Sequence, residues 1–559
     1  MKKKINLLKT LTILTFIISM FIYEIGICNI SNIGISYNFS LCRIVLYLIF
    51  LILLIKNIDK FLQNVVQYFK YKKIILIIYA IIAIVALVYV ILEWNSVYKI
   101  LSLMIALLMG ILVIIYISDD YVKNAIVIIS TLGILFTFNT NFHHCLDEKT
   151  HSMSAINLAN GNFNYIENQL NEPAFNNIIF SCDIDQYAQF WSVKYEPNLT
   201  EDWGNSKDDA VYYMCSAPTN YNFILYIPSA LGIKFASILG GSIADVYITG
   251  RLFNLLAYEA MLVLILKILP YKKKIFSMIY MLPISLLLAA SYSIDGLCLG
   301  IIGIFIAYCL YLSENYEKVK IKQICIMILT FAMCLLVKNL AYFAIIIFAF
   351  VMPVLKILKN NKKQLPIITT IITITIVLCI TFLFLRLGQA TSEETGDIRG
   401  GETSVTGQIE FLLSSPMNII KVGFEHIINT LLNYDWYANL NQYEFFGKYY
   451  KQIFFLEMIF LIYVSITDNT SRASKRVIIV SILTFLAVFG TTSMMLYLQF
   501  SPVGQIGISG YQARYILPIL PIALMTLNKK SNAKNNEVNI ALASGAIVFV
   551  NLICLIYKI

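Results

Sequence analysis

The sequence predicts an all-α integral membrane protein of about fifteen transmembrane helices, and three observations predict it. First, 59% of the 559 residues are hydrophobic, only 13% are charged, and the mean hydropathy is +0.75. A soluble globular chain carries about 25% charged residues. Second, runs such as 74–92, 101–117, 367–384 and 477–498 approach the roughly 20 apolar residues that cross a hydrocarbon core as a helix. They do not alternate polar with apolar, so of the two structures that satisfy a backbone in lipid they choose helices over a closed barrel. Third, the net charge of +10 is gathered in short basic groups at 2–9, 56–73, 272–274, 318–322, 359–363, 472–476 and 529–534. Such spacing reads as membrane topology with these loops cytoplasmic, and excludes a nucleic-acid surface.

Taken in order, residues 1–142 form an N-terminal region of five spans, near 11–28, 41–55, 74–92, 99–117 and 124–142. The first resembles a signal peptide in its basic start, but its apolar run is long and lacks a small-residue cleavage site, so it is an uncleaved span. Counting from a cytoplasmic N-terminus, the fifth span exits on the outer face. The loop 143–221 that follows has more acids than bases, and at about 80 residues it is long enough to be a folded cap or a functional lid. Region 222–387 is a transmembrane core. Its first segment, 224–239, is interrupted by Pro228, Gly232 and Lys234 and is expected to be re-entrant or interfacial. Spans near 244–268, 275–291, 294–312, 323–337, 340–357 and 367–387 follow. A second exported loop, 388–451, carries Thr391-Ser392-Glu393-Glu394, a turn at Gly400-Gly401 and an amphipathic helix expected over 407–432. Region 452–559 closes the chain with spans near 453–468, 477–498, 513–527 and 538–557. The richness in Ile, Lys and Asn suits an AT-rich bacterium.

Of eleven cysteines, most lie inside apolar runs as packing residues, without the paired spacing of a zinc site. A Cys182–Cys215 disulfide is open to the chain if the first loop faces an oxidising space. Asp183 and Asp185 offer a divalent ion two carboxylates but no third ligand, so no cofactor is firmly implied and no metal site is assigned.

The candidate chemistry lies at Asp147-Glu148-Lys149-Thr150-His151, where the fifth span meets the first loop. A carboxylate there can take a proton from an attacking hydroxyl while cations stabilise a departing phosphate. It can equally be solvated or complement the next helix N-terminus. His151 can orient the loop through a hydrogen bond or join the chemistry. Because an ionisable group within a span costs about 2.5–3.5 kcal/mol, it usually faces a cavity or a partner. On this topology Arg251, Asp295, Lys338 and Arg514 all fall near the outer ends of spans. Arg251, Lys338 and Arg514 suit phosphate recognition or snorkelling to the interface, and Asp295 can serve one of them as counter-ion.

The string Asp147-Glu148-Lys149-Thr150-His151 with Ala155 and Gly161 is followed in order by four others. These are Tyr226-Ile227-Pro228-Ser229-Ala230-Leu231-Gly232, Gly250-Arg251-Leu252, Leu282-Pro283 with Ala289-Ala290-Ser291-Tyr292-Ser293-Ile294-Asp295, and, after Lys338, Gly510-Tyr511-Gln512-Ala513-Arg514-Tyr515-Ile516-Leu517-Pro518. Over about 140–525 this series resembles the bacterial polytopic family called domain of unknown function 2142, which is similar to the GT-C glycosyltransferases. The chain departs from the GT-C pattern in having about four extra spans before the acidic motif, and Ala513 stands where the family often has glycine. The resemblance implies a GT-C-like helical bundle with two large extracytoplasmic loops and a polyprenyl-phosphate-linked sugar as donor. It implies Asp147 as base, with Glu148 and His151 positioning it or the acceptor. Arg251, Lys338 or Arg514 would contact the donor phosphate.

The function expected is an inverting glycosyltransferase of the cell membrane, acting on a cell-envelope glycan or lipid acceptor on the extracytoplasmic face. Its partners would be the lipid-linked donor, that acceptor and membrane lipids. The alternatives are a transporter or flippase of lipid-linked glycans, which would need ionisable groups along a path between faces, and a non-catalytic membrane assembly protein.

Overall fold

A computed structural model of the chain describes residues 116–140, 145, 147–161, 221–241, 243–353, 357, 402–433, 450–468, 473–527 and 540–558. It also describes the paired residues 169–170 and 213–214 and scattered helical residues between 9 and 114. The described structure is helical apart from one two-residue antiparallel ladder in the first loop, with Gln169 opposite Met214 and Leu170 opposite Tyr213. Two described helices, Asp295–Glu314 and Lys475–Phe500, are long and apolar enough to cross a membrane. The other apolar helices picked out by that criterion are shorter, at 10–17 residues. The expected spans at 11–28, 41–55, 74–92 and 99–117 are described only at scattered positions, and that at 367–387 lies outside the described residues.

The chain divides into two compact units. One comprises residues 1–260, 281–297 and 539–559, and the other 261–280 and 298–538. In the first, Tyr121–Ile128 runs through a π-helical turn, Ile129–Gly133, into Ile134–Asn139. Asp120 caps its start by accepting the Val122 and Lys123 amides. Helix Glu148–Ala159 packs against Ile227–Ile238, and Ile227–Ile238 in turn meets the first half of Ile243–Ile268. That last approach depends on Gly232, because a Cβ there would lie 2.5 Å from the Thr249 carbonyl oxygen. The C-terminal helix Ile540–Lys558 is fastened by buried asparagines. Asn551 donates to the Met281 carbonyl at 2.8 Å, and Asn124 donates to Ser544 Oγ at 3.1 Å. These pairings satisfy polar groups that would be costly to leave unmade in an apolar interior.

The second unit holds Lys273–Tyr280, most of Asp295–Glu314, Ile321–Leu335, Tyr450–Thr467 and Lys475–Phe500. Lys272, at φ 60, directs its ammonium to the Asp468 carbonyl (3.0 Å) and carboxylate (3.7 Å), with both side chains fully buried.

Four expected elements differ, one of them the span expected at 513–527, which is a 3-10 helix, Ala513–Ile519, followed by a short helix, Leu520–Met525, with Pro521 in its first turn. The single span expected at 275–291 is two helices, Lys273–Tyr280 and Pro283–Ala289. Proline pushes Leu282 to an extended ψ of 151° and occupies the first position of the next helix. The helix expected at 407–432 is likewise two, Val405–Ser414 and Pro416–Asn429, divided at the extended Ser415 that caps the second. In place of an α-helix at 340–357 the chain forms a nine-residue 3-10 helix, Phe343–Val351, a length uncommon for that geometry. The segment at 224–239 is a 3-10 turn, Phe223–Tyr226, leading into helix Ile227–Ile238.

Candidate functional site

Glu148 begins helix Glu148–Ala159, and the residue before it, Asp147, takes a left-handed conformation (φ 56°, ψ 11°). Aspartate is among the few residues that tolerate this region. The result at this corner is that Asp147 is exposed and Glu148 fully buried.

Glu148 meets Arg251 in a two-pronged pair, Nε to Oε1 and Nη2 to Oε2, both 2.8 Å, with neither side chain exposed. Oε1 also accepts the Tyr292 amide at 3.1 Å and Oε2 the Cys145 amide at 3.2 Å. The remaining arm of Arg251, Nη1, donates to the carbonyls of Thr137 (3.2 Å) and Thr140 (2.6 Å). These are orphan acceptors at the C-terminal end of helix Ile134–Asn139. Planar, bidentate pairing with extra hydrogen bonds is the arrangement in which a buried ion pair recovers its desolvation cost. The pair therefore ties four segments together: 134–140, 145–148, the helix carrying Arg251, and the turn at Tyr292.

The neighbouring residues make room for it. A Cβ on Gly250 would lie 2.1 Å from the Tyr292 hydroxyl, so only glycine lets Tyr292 donate to the Tyr247 carbonyl at 2.9 Å while its amide reaches Glu148. The Tyr247 ring packs on Tyr292 (4.7 Å between centroids) and under the guanidinium (5.0 Å). Asn254 holds the turn before Asp295 by donating to the Ser291 carbonyl at 2.7 Å. Asp295, half-buried, starts helix Asp295–Glu314, where a carboxylate complements the helix dipole. His151 is buried, with Nδ1 2.9 Å from the Tyr226 hydroxyl and its ring 5.9 Å from both Tyr221 and Tyr226. That contact joins helix Glu148–Ala159 to Phe223–Tyr226.

Lys338 and Arg514 belong to the other unit, where they share one ring. Lys338 Nζ lies 4.0 Å from the Tyr515 centroid and the Arg514 guanidinium 5.6 Å from it, both within cation–π range. Lys338 has a positive φ of 44°, and Tyr342 donates to the Tyr515 carbonyl at 2.8 Å. Tyr515 packs edge-on to Tyr511, which packs edge-on to His426. His426 Nε2 is 2.8 Å from Ser493 Oγ, and its ring stacks on Phe489. Burial lowers the His426 imidazole to about 4, and burial raises the Tyr511 hydroxyl.

Sequence reasoning passed over two pairs. One is His426 with Ser493; the other is Glu259, half-buried in helix Ile243–Ile268, which accepts a 2.8 Å hydrogen bond from Ser130 in the π-helical turn. An acid in the middle of an apolar run was the available signal for Glu259. Nothing local marks His426, whose partner is 67 residues away.

Asp183, Asp185, Cys182 and Cys215 lie outside the described residues, and Cys145 is buried as a free thiol. Among the described residues no three His, Cys, Asp or Glu side chains are grouped as metal ligands.

No curated protein and no solved structure matches the chain. The family model described as predicted membrane protein, domain of unknown function 2142, matches residues 131–523. That stretch contains Glu148 with Arg251 and Tyr292, and Lys338 with Arg514 and Tyr515, and the protein is a membrane protein belonging to this family.

Proposed function

We propose that the protein is a multi-pass bacterial membrane glycosyltransferase with a cytoplasmic N-terminus, related to the GT-C enzymes. It would move a sugar from a polyprenyl phosphate to an envelope glycan or lipid acceptor on the extracytoplasmic face. The observation that carries this reading is the contrast within the acid pair. Glu148 accepts four hydrogen bonds and is buried, while Asp147 is exposed beside it on a backbone held in the left-handed region.

In this reading Asp147 takes the proton of the acceptor hydroxyl. The acceptor oxygen forms a bond to the anomeric carbon from the face opposite the leaving group. The bond from that carbon to the phosphate oxygen breaks, and the phosphate leaves with the electron pair. Glu148 and Arg251 are positioning residues, since their charged groups are directed at one another. His151 positions the helix that begins at Glu148. Within their own unit Lys338 and Arg514, two cations on one ring, suit an anion such as a phosphate, whose negative charge would relieve their mutual repulsion. Asp295 stays with the turn at 291–295 and has no assigned chemical step.

The test is transfer from polyprenyl-phosphate sugars by purified, reconstituted protein. Asp147→Asn, which removes the charge and suits the same left-handed backbone, should abolish transfer. An Asp147→Asn variant with full transfer overturns the base assignment.

A second reading, transport of the lipid-linked glycan, is favoured by one observation. Glu259 sits mid-helix with its partner in a π-helical turn, a feature frequent at functional sites. Movement of labelled lipid-linked sugar across the membrane without a new glycosidic bond, lost in Glu259→Gln, would decide for it.

A further inference from the structure

Helix Pro416–Asn429 meets the rest of its unit along one narrow stripe. Val422 and His426 are buried there, and Val422 belongs to a core with Leu412 and Tyr497. On the opposite side, Met417, Ile420, Phe424, Ile427 and Ile428 recur at the spacing of one helical face. All five are exposed, Phe424 at 66% and Ile420 at 61%. One flank between the two faces is polar: Lys421, Glu425 and Asn429 follow at intervals of four, and Asn429 donates to Glu425 at 3.0 Å. The helix thus has an apolar face that covers no core.

Its depth can be read from its fastenings. Helix Lys475–Phe500 has 26 residues, about 39 Å at 1.5 Å per residue, against a hydrocarbon core of about 30 Å. His426 bonds Ser493, seven residues before the Phe500 end, or about 10 Å along the axis. Gln408, on the preceding helix Val405–Ser414, grips the same end. It donates to the carbonyls of Tyr497, Ser501 and Pro502 at 3.3, 3.2 and 2.9 Å and accepts the Gly504 amide at 2.9 Å. The apolar face consequently stands near the boundary between acyl chains and headgroups. Helix Lys475–Phe500 also has an exposed apolar residue near that end, Met494, next in sequence to the Ser493 that His426 bonds.

We infer that Pro416–Asn429 is an interfacial membrane anchor, with Met417, Ile420, Phe424, Ile427 and Ile428 inserted among lipid chains at the Phe500 end of that helix. Lys421, Glu425 and Asn429 lie at headgroup level. The occupant of the face is bilayer lipid. A peripheral helix with a broad apolar face and a charged flank gains from this placement through buried apolar area. The inference rests on helix Lys475–Phe500 crossing the bilayer and is independent of the transferase reading, since its test measures no transfer.

The experiment uses full-length protein reconstituted in phosphatidylcholine–phosphatidylglycerol vesicles, with Phe424→Trp and, on the polar flank, Glu425→Trp. Emission added over the wild type is measured with lipids brominated at shallow or deep acyl positions and with aqueous acrylamide. The Phe424→Trp emission should fall by roughly half with shallow bromolipid, and less with deep bromolipid, as for a helix in the interface. Acrylamide should quench Glu425→Trp more strongly than Phe424→Trp. Quenching of Phe424→Trp by acrylamide but not by bromolipid places the face in water and overturns the inference. Protection from both quenchers means that a second copy covers it, which also overturns it. Ile420→Trp repeats the measurement if Phe424→Trp does not fold.

Discussion

Replacing Glu148 by glutamine tests the buried pair most directly. The substitution keeps the shape of the side chain and removes its charge, leaving the Arg251 guanidinium fully buried without its counter-ion. It also places an amide NH2 where one carboxylate oxygen had accepted two donors, from Arg251 and from either the Tyr292 or the Cys145 amide. Breaking a buried pair by removing one partner costs about 3–5 kcal/mol. At about 2.1 cal/mol/K per residue, each kcal/mol lowers the melting temperature of a unit of this size by about 1.5–2 °C, so a fall of roughly 5–10 °C is expected. Apparent melting temperatures in detergent, compared at one scan rate because unfolding of such proteins is often irreversible, measure it. Glu148→Met combined with Arg251→Met should cost clearly less than the two single changes added together, because the double change leaves no uncompensated charge. A Glu148→Gln variant that melts within about 2 °C of the wild type would refute the structural role, since a bidentate buried pair cannot lose its charge so cheaply. Activity lost at unchanged melting temperature would instead move Glu148 into the chemistry.

Gly250→Ala should cost about 1–3 kcal/mol of stability, as in other overpacked cores, and so lower the melting temperature, because the new Cβ meets the Tyr292 hydroxyl; adding Tyr292→Phe should recover part of that loss. For His426, the folded value of about 4 lies below the ordinary 6.5, so between those values the unfolded chain binds the extra proton. The stability of the neutral, buried imidazole is therefore complete above pH 6.5 and lost progressively as pH falls towards 4. The melting temperature of the wild type should drop more steeply over this window than that of His426→Asn, and parallel curves would show that the imidazole does not titrate on unfolding.

The reach of the sequence differs from element to element. Pro283 and Pro416 mark real helix starts, and the break before each follows from a rule of neighbouring residues, although the apolar pattern on either side continues as if through one helix. The ordered motifs identify the family correctly, and several of their residues also share a packing role. The structure shows why several occur together. Tyr226 meets His151, Gly232 admits the Gly250 turn, Gly250 admits Tyr292, and Arg251 pairs with Glu148. Much of the motif set serves packing around one ion pair, leaving Asp147 exposed beside it.

The helical membrane class was determined by the sequence alone, because hydropathy and charge spacing act through the solvent a segment prefers and need no knowledge of its neighbours. Which charge meets which was decided only by tertiary structure. Glu148 and Arg251 are 103 residues apart, and His426 and Ser493 are 67 apart. A cation near a span end reads the same in one dimension whether it awaits a phosphate, snorkels to the surface or staples two helices. The difference lies in distances of about 3 Å, within which hydrogen bonds form, and only the packed chain brings those atoms that close.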